Sequence, residues 1–522
     1  MVASSPPPGD VEVDADADAP SPWLVVVGVV AVIVGVVFRF TARSALWLDE
    51  ALSVNIASLP LGELTDALRH DGHPPLYYVL LHGWMEVFGS SDVAVRALAG
   101  LWAVLLIPLV WYTARELAGP TAAWCATILA ALSPFAVRYG TETRMYSMMA
   151  VLALVGFLCG RAAMIRPTPL RLVGVAVSTG LLLWTHYWSM WFAGVAGLLL
   201  LATFVRRRRA RRTHEAGAPL KVLGAIVVGG LTFLPWLPHL WYQSQHTGTP
   251  WARPMRPAEI VSVMVIDFGG GVTGEAAVLG WGLVFLAVAG LVARSAGPFR
   301  LDLDLRARRS ARVPAALVGG TLALACVAGY ASGATFASRY AAVIHPLVVV
   351  LAGIGLAQFR PRWLTAVALV GIVGLSAVGL VRNVTTERTD AARNAEAIEA
   401  VAQPGDLVAY CPDQLGPSGS RALDVELEQV TYPAFDPPER VDWVDYQERI
   451  DATDPEQFGA ELSDRAAGRN LFLVYSTSYD THRSICPALF NVLARARAPQ
   501  VLAEATEAFE PSGVALFPVA AG

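Results

Sequence analysis

Apolar residues run in blocks of roughly twenty along most of the chain, and polar residues are largely confined to the gaps between them. The blocks fall near 22–39, 93–114, 120–137, 146–164, 170–185, 188–205, 220–238, 274–293, 313–331, 339–358 and 362–381. Each is close to the ~20 residues an α-helix needs to cross a bilayer core, so the pattern predicts about eleven transmembrane helices, the junction of the fifth and sixth being the least sharp. After Arg382 the pattern changes. Charged residues become frequent, and short apolar runs such as Asp406–Tyr410 and Leu471–Tyr475 sit between turn signals and alternate with helical patterns over Asp390–Val401 and Asp454–Ala466. The first residues, with Ser4 to Pro8 and then Asp14, Asp16 and Asp18, show no apolar periodicity. The expected organisation is a disordered cytoplasmic tail over 1–21, an α-helical polytopic membrane domain over 22–382 and a soluble α/β domain over 383–522. The acidic region before the first block does not resemble a signal peptide, so that block is expected to remain as an anchor.

Composition agrees with this reading: at 55% hydrophobic and 16% charged residues, 522 residues cannot hide their apolar surface in one soluble core. The net charge of -4 is too small to indicate a partner, and no nucleic acid is expected. Orientation follows from basic residues in the connections: Arg161, Arg166 and Arg171; Arg206 to Arg209 with Arg211 and Arg212; Arg294 through Arg312; Arg360 with Arg362. With about eleven spans all four connections fall on one side, which is then cytoplasmic. Asp49 and Glu50, the connection Arg138 to Arg144, the loop around Trp241 to Pro257 and the C-terminal domain are then extracytoplasmic, in a multi-pass protein of the plasma membrane. Of the five cysteines, Cys125, Cys159 and Cys326 fall in apolar blocks and read as packing residues. Cys411 and Cys486 lie in the C-terminal region, either as a disulfide or as two buried thiols. No zinc-type spacing occurs, no cofactor is expected, and a divalent metal is left open.

The first outer loop, about 50 residues from Thr41 to Ser91, is longer than a connection needs. It opens with Leu46-Trp47-Leu48-Asp49-Glu50-Ala51, an acidic pair just beyond a span, which is either a juxtamembrane surface or an active site. It continues as two short amphipathic helices, Leu52 to Leu68 and Leu80 to Phe88, separated by a rigid turn at Gly72-His73-Pro74-Pro75. A second constellation is Arg138-Tyr139-Gly140-Thr141-Glu142-Thr143-Arg144-Met145-Tyr146, where positive charges run against the inside bias. A bridge from Arg138 to Glu142 would leave Arg144 over. Arg339, in Ala337-Ser338-Arg339-Tyr340, either snorkels to the interface or belongs to the same face. Arginines and a histidine on one face with an acidic pair suit a bound phosphate next to a carboxylate base.

Trp47-Leu48-Asp49-Glu50, His73-Pro74-Pro75-Leu76-Tyr77-Tyr78, the Arg-x-x-x-Glu-x-Arg-x-Tyr run from Arg138 to Tyr146 and Arg339-Tyr340 together resemble the polytopic GT-C glycosyltransferases. Within them they resemble the branch of the protein O-mannosyltransferases and the lipid A aminoarabinose transferases, over residues 22–360 and most strongly over 46–146. The short motifs gain their specificity from common order, spacing and sidedness.

The resemblance implies transfer of mannose or another hexose or pentose from a polyprenyl-phosphate-linked donor, presented within the bilayer, to an acceptor hydroxyl on a glycan, glycolipid or protein. Asp49 matches the catalytic carboxylate and would take the acceptor proton, with inversion; Glu50 would orient sugar or acceptor. Arg144, Arg339 and Arg138 would stabilise the leaving lipid phosphate. His73 stands where aminoarabinose relatives carry lysine, and a histidine's partial charge weakens its place among the donor-phosphate ligands. Tyr77, Tyr78 and Tyr146, with Glu142, would line the sugar and acceptor pocket, interfacial belts being the competing account of the tyrosines. The segment Trp241 to Trp251 would be a lid. The alternatives are a lipid-linked oligosaccharide polymerase or ligase, and a lipid or sugar transporter, which should show an internal repeat that is not evident here.

Overall fold

The computed structural model describes residues 19–211, 213–247, 255–332 and 336–519, so all but the end of the expected 1–21 tail lies outside the described residues. Among the described residues, seven helices are long and apolar enough to cross a membrane: Asp92–Ala131, Tyr146–Ile165, Ser189–Arg209, Ala216–His246, Gly274–Val292, Arg312–Tyr330 and Arg362–Thr385. Three shorter apolar helices, Pro22–Phe38, Pro169–Thr185 and His345–Leu356, occupy other expected blocks. The 40-residue run Asp92–Ala131 is broken at Ala118 and Gly119, so it holds two of those blocks. Gly119 has φ 84°, and Pro120 behind it has no N–H to continue the ladder. The second of the two ends at Leu132, earlier than the pattern predicts, because Ser133-Pro134 starts a new short helix, Pro134–Gly140. The Ser133 hydroxyl caps it by accepting the Ala136 N–H at 3.2 Å. The block expected over 339–358 begins with a 3-10 turn, Ser338–Val343, and becomes α-helical only at His345.

Small residues let the central helices touch at their backbones. A Cβ placed on Gly355 would come 2.0 Å from the Leu286 carbonyl oxygen, and one on Gly353 2.5 Å from the Ala126 Cβ. Without a solvent-driven hydrophobic effect inside a bilayer, this close packing is what brings His345–Leu356 between Gly274–Val292 and Asp92–Ala131. Buried Arg39 joins two helix ends, donating to the carbonyls of Gly35, Ala130 and Ala131 at 2.7, 2.9 and 2.8 Å. These acceptors lie near helix C-termini, where carbonyls lack intrahelical partners.

The loop after the first helix folds as three helices rather than the two expected: Leu48–Ala57, Leu61–Asp71 and Leu76–Phe88. Pro60 interrupts the first amphipathic stretch, and Gly72, at φ 85°, ends the second helix before Pro74-Pro75 open the third. The basic connection after Gly274–Val292 contains an unanticipated hairpin, β1 (Ala293–Gly297) with β2 (Arg300–Leu303).

The C-terminal region carries a five-stranded sheet of β3 (Leu407–Cys411), β4 (Glu428–Thr431), β5 (Leu471–Tyr475), β6 (Gln500–Ala503) and β7 (Gly513–Phe517), in the order β4-β3-β5-β7-β6. β4, β3 and β5 are parallel, while β7 pairs antiparallel with β5 and β6. Central β3 and β7 are buried throughout, matching their continuous apolar runs. Cys411 at the end of β3 is bonded to Cys486 in the helix Ile485–Ala496 (S–S 2.10 Å). The region docks on the first loop: Asn55 donates to the Glu439 carbonyl at 2.7 Å, the Trp443 N–H donates to the His70 carbonyl at 3.1 Å, and His70 contacts Asp442 at 2.8 Å.

Candidate active site

The helix Leu48–Ala57 places Asp49 and Glu50 in its first turn, where unpaired N–H groups and the helix dipole favour carboxylates. Part of its cap comes from the far end of the chain, since the Leu48 N–H donates to the Glu510 carboxylate at 3.3 Å. Adjacent helical residues point about 100° apart, so the two acids face different surroundings.

Glu50 points inward and is fully buried. Arg96 grips it with Nε at 2.8 Å and Nη2 at 2.6 Å, Arg388 approaches at 3.3 Å, and the Thr143 N–H donates at 3.0 Å. Burial works to raise its pKa, but the two guanidiniums outweigh this and hold the carboxyl below the usual range. Arg388 also donates to the carbonyl and hydroxyl of Thr141 at 2.8 and 2.6 Å. One carboxylate thereby ties together the first loop, the helix beginning at Asp92, the 140–145 connection and the chain after the last long helix. The sugar-orienting role expected of Glu50 does not fit this place, because both its oxygens are occupied and neither is open to solvent.

Asp49 points outward. Its carboxylate lies 3.1 Å from Arg339 Nη1, both side chains keeping 16–18% exposure, and its carbonyl is 3.4 Å from Arg144 Nη1. Arg144 is itself buried and donates to Ser53 Oγ at 2.9 Å, to Tyr78 Oη at 3.4 Å and to His73 Nε2 at 3.0 Å. Because Arg144 can only donate, His73 Nε2 accepts, which assigns the ring proton to Nδ1, 2.9 Å from Asp71. The Tyr78 hydroxyl donates to the same Asp71 oxygen at 2.7 Å. The Gly72 turn thus brings His73 back onto Arg144 and leaves it 21% exposed. Arg138 pairs with Glu142 at 3.2 Å, as the i,i+4 spacing anticipated, and Arg144 is indeed left over for other partners.

A cavity of roughly 790 Å³ opens beside Asp49's partner, between the membrane helices and the C-terminal region. Arg339, Arg138, Arg382 and Arg388 line it together with the carboxylates of Glu142, Asp267, Glu387 and Glu507. Trp47 and Phe509 close one wall edge to face at 4.9 Å, with Arg138 over the Phe509 ring at 5.2 Å. Burial raises the Glu142 pKa against the pull of Arg138.

Asp49, Arg339, Arg138 and His73 therefore reach open space, while Glu142 forms part of the cavity wall. Arg144, Tyr77, Tyr78 and Tyr146 lie beneath that surface at no more than 2% exposure. The pocket-lining role expected of the tyrosines and the phosphate contact expected of Arg144 do not fit that burial. These side chains instead support the rim. Among the described residues, the Tyr77 and Tyr146 hydroxyls have no hydrogen-bond partner. The expected lid is described only as far as Thr247: the helix Leu237–His246 is held to the first loop by Gln243, which donates to the Leu68 carbonyl at 2.7 Å, and 248–254 lie outside the described residues. Sequence reading missed Arg96, Arg388, Asp71, Asp267 and Glu510. Arg96, a charge inside an apolar block, carried a usable signal; the others acquire meaning only through distant partners.

Residues 72–239, about a third of the chain, match the family model for dolichyl-phosphate-mannose-protein mannosyltransferase. That segment takes in His73 and Arg138 to Tyr146 but neither Asp49 nor Arg339. The fold is similar to that of ArnT from Cupriavidus metallidurans in the apo state, with 14% identity, a TM-score of 0.59 and coverage of 95% of this chain and 97% of ArnT. It is also similar to the same protein bound to undecaprenyl phosphate, with 15% identity, a TM-score of 0.56 and coverage of 97% and 100%. A comparison with curated protein sequences returned no match. At these identities the likeness speaks for the fold, and the chain is a polytopic membrane protein with the fold of ArnT that resembles the GT-C glycosyltransferases of the mannosyltransferase and aminoarabinose transferase branch.

Proposed function

We propose that the protein transfers a sugar from a polyprenyl-phosphate-linked donor to an acceptor hydroxyl on the extracytoplasmic face of the plasma membrane. The observation that carries this reading is the partly exposed Asp49 carboxylate, 3.1 Å from Arg339 at the edge of a large cavity lined by further arginines. Asp49 takes the acceptor O–H proton as that oxygen attacks the anomeric carbon. The anomeric C–O bond to the lipid phosphate breaks, and the phosphate leaves with the electron pair. Arg339 meets the growing negative charge, with Arg138 within the same cavity. His73 and Arg144 hold the rim, and Glu50 anchors the helix that presents Asp49. Undecaprenyl phosphate bound to ArnT supports a polyprenyl-phosphate leaving group, and the family match supports mannose as the first sugar to test. The basic connections at the opposite ends of the helices support an outward-facing site.

The test is sugar transfer in membranes supplied with a panel of radiolabelled polyprenyl-phosphate sugars, mannose first, and cell-envelope extract as acceptor. Wild-type protein should transfer label, and Asp49→Asn, inserted at the same level, should lose at least a hundredfold of the rate. Full activity in Asp49→Asn, or no transfer from any donor of the panel, overturns the reading.

A further inference from the structure

A second cavity, of roughly 390 Å³, lies at the opposite end of the helices and shares no lining residue with the first. Its walls are apolar and come from several membrane helices, with Phe157, Leu182, Phe192, Leu200 and Leu317 among them. Three arginines, Arg161, Arg207 and Arg309, line it as well, and among the described residues that line it there is no aspartate or glutamate. All three stand at the basic ends of their elements: Arg161 in the last turns of Tyr146–Ile165, Arg207 at the end of Ser189–Arg209, and Arg309 just ahead of Arg312–Ser332. In the run Arg206 to Arg209, only Arg207 is half-buried; its three neighbours are exposed. Of Arg206 to Arg209, Arg207 is the one that lines the cavity.

An apolar cleft between membrane helices, bounded by cations at the interface level, matches an amphiphile with an aliphatic chain and an anionic head. Planar guanidiniums suit the oxygens of a phosphodiester, and three of them border one apolar cleft. We propose that this cavity binds an anionic phospholipid from the leaflet facing the basic connections. The donor's phosphate would be needed at the other end, beside Arg339, so this site is separate from the transfer site and stands independently of the proposed reaction.

Two variants probe the two halves of the site. Arg207→Ala with Arg309→Ala removes charge from the mouth. Gly160→Leu fills the cavity from its wall, and a Cβ at Gly160 meets nothing within 4 Å, so the helix itself should accept it. The measurement is native mass spectrometry of the full chain titrated with phosphatidylglycerol, phosphatidylcholine or undecaprenyl phosphate, with detergent melting curves to establish folding. The wild type should retain one phosphatidylglycerol at least tenfold more tightly than phosphatidylcholine, and each folded variant should lose that preference. Equal retention in the wild type and a folded variant of either kind overturns the proposal. So does displacement of phosphatidylglycerol by equimolar undecaprenyl phosphate, which would assign the cavity to the polyprenyl lipid instead.

Discussion

Replacing Glu50 by glutamine keeps the volume, removes the charge that Arg96 and Arg388 surround and turns one acceptor into a donor. All three side chains are almost fully buried, with exposures of 0%, 7% and 2%, so water cannot compensate for the loss. Removing one partner of a buried pair typically costs about 3–5 kcal/mol, because the remaining charge is left unpaired in a poorly solvating medium. Here two guanidiniums lose their counter-ion, and the glutamine NH2 adds a donor facing donors, so about 3 kcal/mol is a lower figure for the loss. Size-exclusion melting of the detergent-solubilised protein should show Glu50→Gln unfolding well below the wild type. Asp49→Asn, at the neighbouring position but partly exposed and 3.1 Å from Arg339, should melt close to it. Adding Arg388→Met to Glu50→Gln should recover part of the loss, since one unpaired cation is removed. A Glu50→Gln protein that melts with the wild type, or a double variant weaker than the sum of its parts, would refute the assignment of Glu50 as the anchor of this helix.

Arg339→Lys keeps the charge but not the planar fork, and should lower the rate of sugar transfer by about 10²–10³ with little change in acceptor binding; an unchanged rate in initial-velocity assays would remove Arg339 from the reaction. Glu510, pushed up to about 7 by burial despite hydrogen bonds from Tyr479, Ser418 and the Leu48 N–H, binds more protons folded than unfolded at intermediate pH. Its contribution to stability is therefore fully present below an ordinary glutamate pKa of about 4.3 and is lost as pH rises through 7. The melting temperature should fall across that window more steeply in the wild type than in Glu510→Gln, and parallel pH profiles would contradict it. Gly355→Val should prevent stable insertion, since the added Cβ would meet the Leu286 carbonyl at 2.0 Å; Gly371→Ala, with nothing within 4 Å, should be neutral, and equal yields of both variants from membranes would count against the packing argument.

Much of the fold was legible because membrane helices are specified locally. A backbone crossing a bilayer must satisfy its own hydrogen bonds, so an apolar block of sufficient length is already a helix. Where helices end was less legible: Ser133-Pro134 and His345-Pro346 cut two blocks short, and Pro60 divided the first loop in a way its apolar spacing did not show. The hairpin of β1 and β2 was hidden within a stretch read only for its charge.

The site divides in the same way. Sequence alone placed Asp49, Arg138, Arg339 and His73 on one face, because order along the chain and the parity of spans decide which loops share a side of the membrane. It ranked Asp49 above Glu50 only through the family resemblance, gave Glu50 no anchoring role, and did not separate rim residues from buried support. That depended on the helix turning about 100° between Asp49 and Glu50. It also depended on Arg96 and Arg388, 46 and 338 residues beyond Glu50, arriving at a single carboxylate. Side-chain environment is a property of which surfaces meet, and only the packed chain brings those surfaces together.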